Sequence, residues 1–234
     1  MKKGDLKRSS ILETAERLFF EKGYEQTSIQ DILDALSMSK GGFYHHFASK
    51  ESILSEICAN RAKASLGTMK WEFYGAQLSP VEKLNLLLRK VNLFERENTA
   101  FTALLLKVGY VEGDVRIRDR IRSVVLEQLI PHVNEVIAEG VKTGDFFVRN
   151  LGQIGGLILG MTANVDDNAC RILALNADSP ECIIEIADQL NACRDAIETL
   201  LGAPYGSVIL FEPAKMVEDY REAAKELLRL ESSR

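Results

Sequence analysis

Long apolar runs, cysteine, proline and histidine are all scarce in this chain, and each shortage excludes something. The longest uncharged apolar stretch, from Ile154 to Ala163, is about half of the ~20 residues that span a bilayer. After the basic start Met1-Lys2-Lys3-Gly4-Asp5-Leu6-Lys7-Arg8, the residues Ser9, Glu13, Glu16 and Arg17 interrupt what an export signal needs as an apolar core. A cytoplasmic chain with no membrane partner is expected. The 4 cysteines (Cys58, Cys170, Cys182 and Cys193) include no CxxC pair, which argues against a zinc site or a disulfide framework and for buried free thiols. Cys182 and Cys193 stay open as a redox pair, although a single straight helix would hold them about three turns apart. With 3 histidines and no GxGxxG, GxxxxGK[ST], GxSxG or HExxH string, neither an enzyme nor a metal or cofactor site is expected.

What is present describes a folded globular chain. Of 234 residues 46% are hydrophobic, 27% are charged and 5 are proline, which is enough apolar matter for a core and too little bias for disorder. The net charge of -5 supplies no global attraction to nucleic acid, so any such partner has to meet a local patch.

Apolar residues recur at helical spacing nearly throughout, and two-residue alternation is almost missing, so the fold class is all-α. A first helix runs from about Lys7 to Lys22, with Ile11, Leu12, Ala15, Leu18 and Phe19 on one face, and Gly23 stops it. Thr27 and Ser28 can cap a short second helix through Leu36. Ser37-Met38-Ser39 makes a turn into a third, from Lys40 to Phe47, and Ser49 starts a fourth that runs towards Lys70. Beyond residue 50 the helices lengthen, which places a domain boundary there: residues 1–50 and 51–234. Further helices are expected over Val81–Glu97, Thr99–Val108, Ile117–Lys142 with Pro131 as a kink, Gly152–Leu175, Pro180–Leu200 and Ala214–Leu230. Residues 202–212 read as a loop or a very short extended piece.

The three short helices at the start match a helix-turn-helix plan. From Ala35 to Ser49 there is no acid, while Lys40, His45, His46 and Lys50 are basic or can become so; a helical hairpin with a chance gap in its charges would look the same. Gly41 and Gly42 weaken a helix but let its backbone approach a partner closely. Lys40 can reach a base edge or a phosphate, Tyr44 and His45 lie one turn on, Lys50 suits a phosphate, and the hydroxyls of Thr27 and Ser28 can bond one too. Phe43 and Phe47 read as core. His46 fits a surface site as well as a contact. Lys2, Lys3, Lys7 and Arg8 can form an arm on DNA or a frayed end.

The string Gly23-Tyr24 … Thr27-Ser28-Ile29-Gln30-Asp31-Ile32 … Ser39-Lys40-Gly41-Gly42-Phe43-Tyr44-His45-His46-Phe47-Ala48-Ser49-Lys50-Glu51 closely resembles the DNA-binding domain of TetR-family (tetracycline-repressor-like) transcriptional regulators. Ser37 departs from the glycine usual in that family's turn. The resemblance covers about the first 55 residues. It implies a regulator, read as a repressor released from double-stranded operator DNA by a small-molecule effector, with Thr27, Ser28, Ser39, Lys40, Gly41, Gly42, Tyr44, His45 and Lys50 at the DNA. It also implies a larger helical C-terminal domain that binds the effector and forms a homodimer, and Glu139-Gly140-Val141-Lys142-Thr143-Gly144-Asp145-Phe146 looks like a turn many members share. Dimerisation is expected through Gln153–Leu175 and Pro180–Leu200. Gly155, Gly156 and Gly160 would serve close approach either there or within one subunit. Trp71, Phe73, Tyr74, Phe94, Phe101, Leu105, Tyr110 and His132 are the pocket candidates, although each taken singly is more often plain core than a ligand contact. Glu112, Asp114, Asp166 and Asp167 would suit a cationic ligand or be solvated. The operator, the regulated genes and the effector are not written in these residues.

Overall fold

The computed structural model describes residues 3–75, 77–91, 104–111, 115–176 and 180–211, with single positions at 218, 222, 225 and 229. Among them the elements are helices and turns: α1 (Lys3–Lys22), α2 (Ile29–Leu36), α3 (Lys40–Tyr44), α4 (Lys50–Gly75), α5 (Pro80–Val91), a π-helical turn (Lys107–Val111), α6 (Val115–Thr143), α7 (Leu151–Asn176) and α8 (Pro180–Leu201). The helices expected at 92–97 and 99–103, and most of 214–230, lie outside the described residues. None of the described helices is long and apolar enough to cross a membrane.

Apolar burial is organised around two cores. The first gathers Ile11, Ala15, Leu18 and Phe19 of α1, Ile32 and Leu33 of α2, and Phe43 and Phe47, and is closed by Ile53, Leu54, Ile57 and Cys58 of α4. It therefore runs past residue 50: the first turns of α4 complete the N-terminal unit before the helix continues along α6. Leu104, Leu105 and Val108 around the π turn, and Ile117 of α6, belong to the same core. The second core holds Leu84, Leu87 and Leu88 of α5 with the inner faces of α6, α7 and α8.

The turn after α6 shows how local chemistry fixes packing. Gly144 has φ +84°, which stops the helix. The chain then folds back, so that the Asp145 and Phe146 N–H groups both donate to the Gly140 carbonyl, at 2.8 and 3.1 Å. Phe146, 1% exposed, lies directly on Gly140, where an added Cβ would stand 2.1 Å from the ring. Only glycine admits that contact.

Residues 207–210 form a strap without strand pairing, which settles 202–212 as loop as far as residue 211. Asn85 donates to the Ser207 carbonyl at 2.8 Å and accepts from Ile209 N–H at 2.9 Å. The buried carboxylate of Glu198 accepts from Val208 N–H at 2.9 Å.

Candidate DNA interface and ligand pocket

The N-terminal unit is held by caps and cross-links that leave one face of α3 uncommitted to the fold. Ser28 caps α2: its hydroxyl accepts from Asp31 N–H at 3.1 Å, and Asp31 accepts from Ser28 N–H at 2.8 Å, the reciprocal pair of a capping box. Lys22 adds an ion pair to Asp31 at 2.6 Å; with the Ser28 bonds it holds that carboxyl well below the usual range. Ser37 then takes φ 49°, ψ 43°, the left-handed position at which a helix end favours glycine, and Met38 N–H reaches back to the Leu33 carbonyl at 2.9 Å. The departure noted in the sequence is thus a real left-handed serine, and it leaves the turn formed. Ser39 caps α3 by accepting from Gly42 N–H at 3.3 Å.

α3 ends earlier than its spacing suggests, at Tyr44, with a turn carrying the chain to Phe47 through His46 N–H to the Phe43 carbonyl at 2.8 Å. Phe43 and Phe47 point inward as core. Ser39, Lys40, Gly41, Tyr44 and His45 are exposed, and Gly42 and His46 are half-buried. An added Cβ at Gly41 would meet nothing within 4 Å, so its lack of a side chain is not required by packing inside the subunit.

Two residues expected at the DNA have partners within the fold. Thr27 is fully buried, and its hydroxyl lies 2.7 Å from the Gly23 carbonyl and 3.2 Å from that of Leu18. It stitches the end of α1 to the start of α2 and cannot present itself to a phosphate. Lys50 donates its ammonium to the Tyr24 carbonyl at 2.6 Å and sits 4.2 Å from the centroid of that ring. It clamps the α1–α2 turn against α4, so its charge is spent on the fold first. Arg8 is likewise not a free arm. It donates to both oxygens of Glu56, to the His46 carbonyl at 2.7 Å, and stacks 4.3 Å from the Phe47 ring. Lys7 is exposed, while Lys2 and the side chain of Lys3 lie outside the described residues.

Where the two cores meet there is a half-open cavity of about 90 Å³. Its walls come from α6 (Arg118, Ile121, Arg122, Val125 and Leu126), α7 (Ala163, Asp166 and Asp167) and the stretch entering the π turn (Leu105, Gly109 and Tyr110). The spacing on α6 and α7 puts each set on one helix face. Val125 packs against both cores, and Leu105 faces the first while Leu106 belongs to the second. Asp167, 8% exposed, accepts from the Tyr110 hydroxyl at 3.0 Å and lies 3.2 Å from both Arg118 and Arg171. Burial, with the Asp167 and Cys170 neighbours, pushes the Tyr110 phenol far up, so it stays protonated.

Of the pocket candidates, Leu105 and Tyr110 are thus brought together. His132 is half-buried and lines no part of this cavity. The side chains of Trp71, Phe73 and Tyr74 and all of Phe94 and Phe101 lie outside the described residues, as do Glu112 and Asp114. Arg118, Ile121, Arg122, Val125, Leu126 and Ala163 were missed. Their helical spacing was legible, but which face of a long helix meets a cavity is set by distant packing.

Cys182 and Cys193 sit on the one helix α8, about 16 Å apart at ~1.5 Å per residue. Cys193 is buried, and burial together with the Asp166 charge pushes its thiol up to about 11, the reverse of a reactive thiolate. The described residues contain no cluster that would hold a metal.

The family model for bacterial regulatory proteins of the tetR family matches residues 11–57. Among relatives, the uncharacterized HTH-type transcriptional regulator YerO of Bacillus subtilis (strain 168) is 26% identical over 214 residues, 91% of this chain and 73% of that protein. The HTH-type transcriptional repressor KstR2 of Rhodococcus jostii (strain RHA1) is 45% identical over 51 residues, 22% of this chain and 25% of that protein. Two solved structures share the fold. RolR (NCGL1110) in complex with resorcinol has a TM-score of 0.56 at 16% identity, over 95% of this chain and 94% of its own. A putative transcriptional regulator from Saccharomonospora viridis in complex with choline has a TM-score of 0.53 at 21% identity, over 84% and 98%. The family match falls on the unit built by α1 to α3 and the start of α4, whose exposed α3 and capped turn make a helix-turn-helix. Over residues 11–57 the chain is similar to the tetR family of bacterial regulatory proteins, and it is a DNA-binding regulator of transcription.

Proposed function

We propose that the chain is a repressor that grips its operator as a homodimer and lets go when a small molecule occupies the cavity between the two cores. The observation that carries the DNA side is the exposed, acid-free surface of Ser39, Lys40, Gly41, Tyr44 and His45 over a buried Phe43. Lys40 supplies charge for a base edge or phosphate, Gly41 and Gly42 bring the backbone close, and Tyr44, His45, Ser39 and the rim hydroxyl of Ser28 bond the sugar–phosphate strand. Lys50 acts by holding the unit in shape. Residues 1–50 supply the DNA contacts and 51–234 the effector site and the dimer contact. No residue is given a catalytic role.

Dimerisation fits the outer faces of α7 and α8. Leu157 is 58% and Ile184 63% exposed, and a Cβ on Gly160 would meet nothing within 4 Å, so this face is apolar and flat enough for a second copy. Gly155 does a different job, approaching Asn134 within the subunit. Asn134 accepts its N–H at 3.0 Å.

Release follows from where the cavity lies. A dimer reads two successive major grooves about 34 Å apart, and its α3 helices are carried on the first core. A ligand between the cores, touching Leu105 and Val125, favours whichever arrangement of the cores accommodates it. Its differential affinity for that arrangement shifts the population away from the DNA-matched one. Proteins of the same fold solved with resorcinol and with choline support this reading.

The test is fluorescence anisotropy of the purified chain on the intergenic DNA upstream of its own gene, against scrambled DNA over a salt series. Sequence-dependent binding that weakens steeply with salt is expected; equal weak binding to both DNAs contradicts the proposal.

A further inference from the structure

We infer that the cavity takes a compact, mostly apolar molecule bearing an oxygen acceptor, of the phenol or aromatic-carboxylate kind, and rejects organic cations. This rests on reading the cavity as the effector site. The two acids in its wall would by themselves suggest a cation, but their partners say otherwise. A carboxylate offers about four acceptor positions. Asp167 already takes the Tyr110 hydroxyl at 3.0 Å and faces Arg118 and Arg171, each at 3.2 Å. A cationic ligand would have to compete with two guanidinium groups, the mostly buried one of Arg118 and the exposed one of Arg171. Asp166 is also engaged within the protein.

Donors, by contrast, are in surplus. The Arg118 contact with Asp167 runs through Nε, at 3.2 Å, and a guanidinium carries five N–H groups, so most of its donors are left for a ligand. One turn on, Arg122 lines the same wall, and among the described residues its ion pair is with the exposed carboxylate of Asp119, at 3.3 Å. An acceptor oxygen on the ligand meets these donors, while Leu105, Ile121, Val125, Leu126 and Ala163 enclose its apolar body. At about 90 Å³ the space is of the order of the ~150 Å³ apolar cavity that takes up benzene, so one ring is the natural size.

The test is isothermal titration calorimetry of the full chain with phenol, benzoate and benzyltrimethylammonium. Phenol or benzoate is expected to bind once per chain and at least ten-fold more tightly than the cation. Preference for benzoate shows that the ligand's charge is used, and preference for phenol shows a neutral acceptor; both agree with the inference. Arg118→Met is expected to weaken binding at least ten-fold. Arg122→Met, which leaves Asp167 its partners, is expected to weaken it less, and Ala163→Leu, which fills the space, to abolish it. Tighter binding of the cation, no binding of any probe, or wild-type affinity in Arg122→Met and Ala163→Leu overturns the ligand class. Operator binding by the same wild-type sample separates the two failures: with it intact, the ligand class alone is wrong, and without it the regulator reading fails as well.

Discussion

The two cores of this protein are built from different kinds of information. The helix-turn-helix part of the N-terminal one is assembled from neighbours: Ser28 and Asp31 cap each other, Ser39 caps the helix it begins, and Phe43 and Phe47 lie one turn apart. The C-terminal one is assembled from a distance, with Asn85 holding residues 207 and 209 and Tyr110 meeting Asp167. A surface specified locally can hold a fixed shape for DNA. A cavity specified by remote helix faces can change its ligand with few substitutions while the scaffold stays.

If the cores are separate in this way, damage to each should read out separately. The largest effect is expected from Phe43→Ala. It removes a fully buried ring at a cost of about 3–5 kcal/mol, so α1 to α3 should lose amide-exchange protection while α7 and α8 keep theirs. Equal loss in both would merge the two cores into one cooperative unit. Gly140→Val is the counterpart in the second core. Its side chain would have to displace the Phe146 ring, costing on the order of 1–3 kcal/mol or more, and chemical denaturation should show α6–α8 weakened first.

Thr27→Val is expected to destabilise the N-terminal unit by about 1–2 kcal/mol, because the buried carbonyls of Leu18 and Gly23 lose their hydroxyl partner. Operator affinity should fall only as far as the unfolded fraction requires. A larger fall, with stability intact, would return Thr27 to the DNA surface. Ser37→Gly should stabilise the same unit, by up to about 1 kcal/mol, since a left-handed φ costs a serine roughly that much. Smallest in energy is a chemical contrast: with its thiol at about 11 and buried, Cys193 should react with a thiol reagent at pH 8 far more slowly than half-exposed Cys182.

How much of this was legible in the sequence follows the same division. The capped α2, the turn at Ser37, α3 and its inward phenylalanines could be read from adjacent residues, because short-range bonds form them. At Thr27 and Lys50 the same string does not show the partners within the fold. Their residue types suit a phosphate, yet their partners are carbonyls brought near by the turn between α1 and α2. In the second region the helix spans were legible from spacing, including Val115–Thr143 running through Pro131. The cavity was not: aromatic residues stand out in a sequence, whereas an arginine pair at 118 and 122 facing Asp167 across two helices does not.

On the proposed reading the exposed residues of α3 and its caps, with Ser28 at the rim, meet DNA while the rest of the N-terminal unit shapes them. Fluorescence anisotropy on the operator with the Lys40→Ala/Tyr44→Ala double variant, beside sedimentation of the same sample, tests it most directly. At least a hundred-fold loss of operator affinity is expected, with folding and dimer mass unchanged. Wild-type affinity in a folded, dimeric double variant would contradict it.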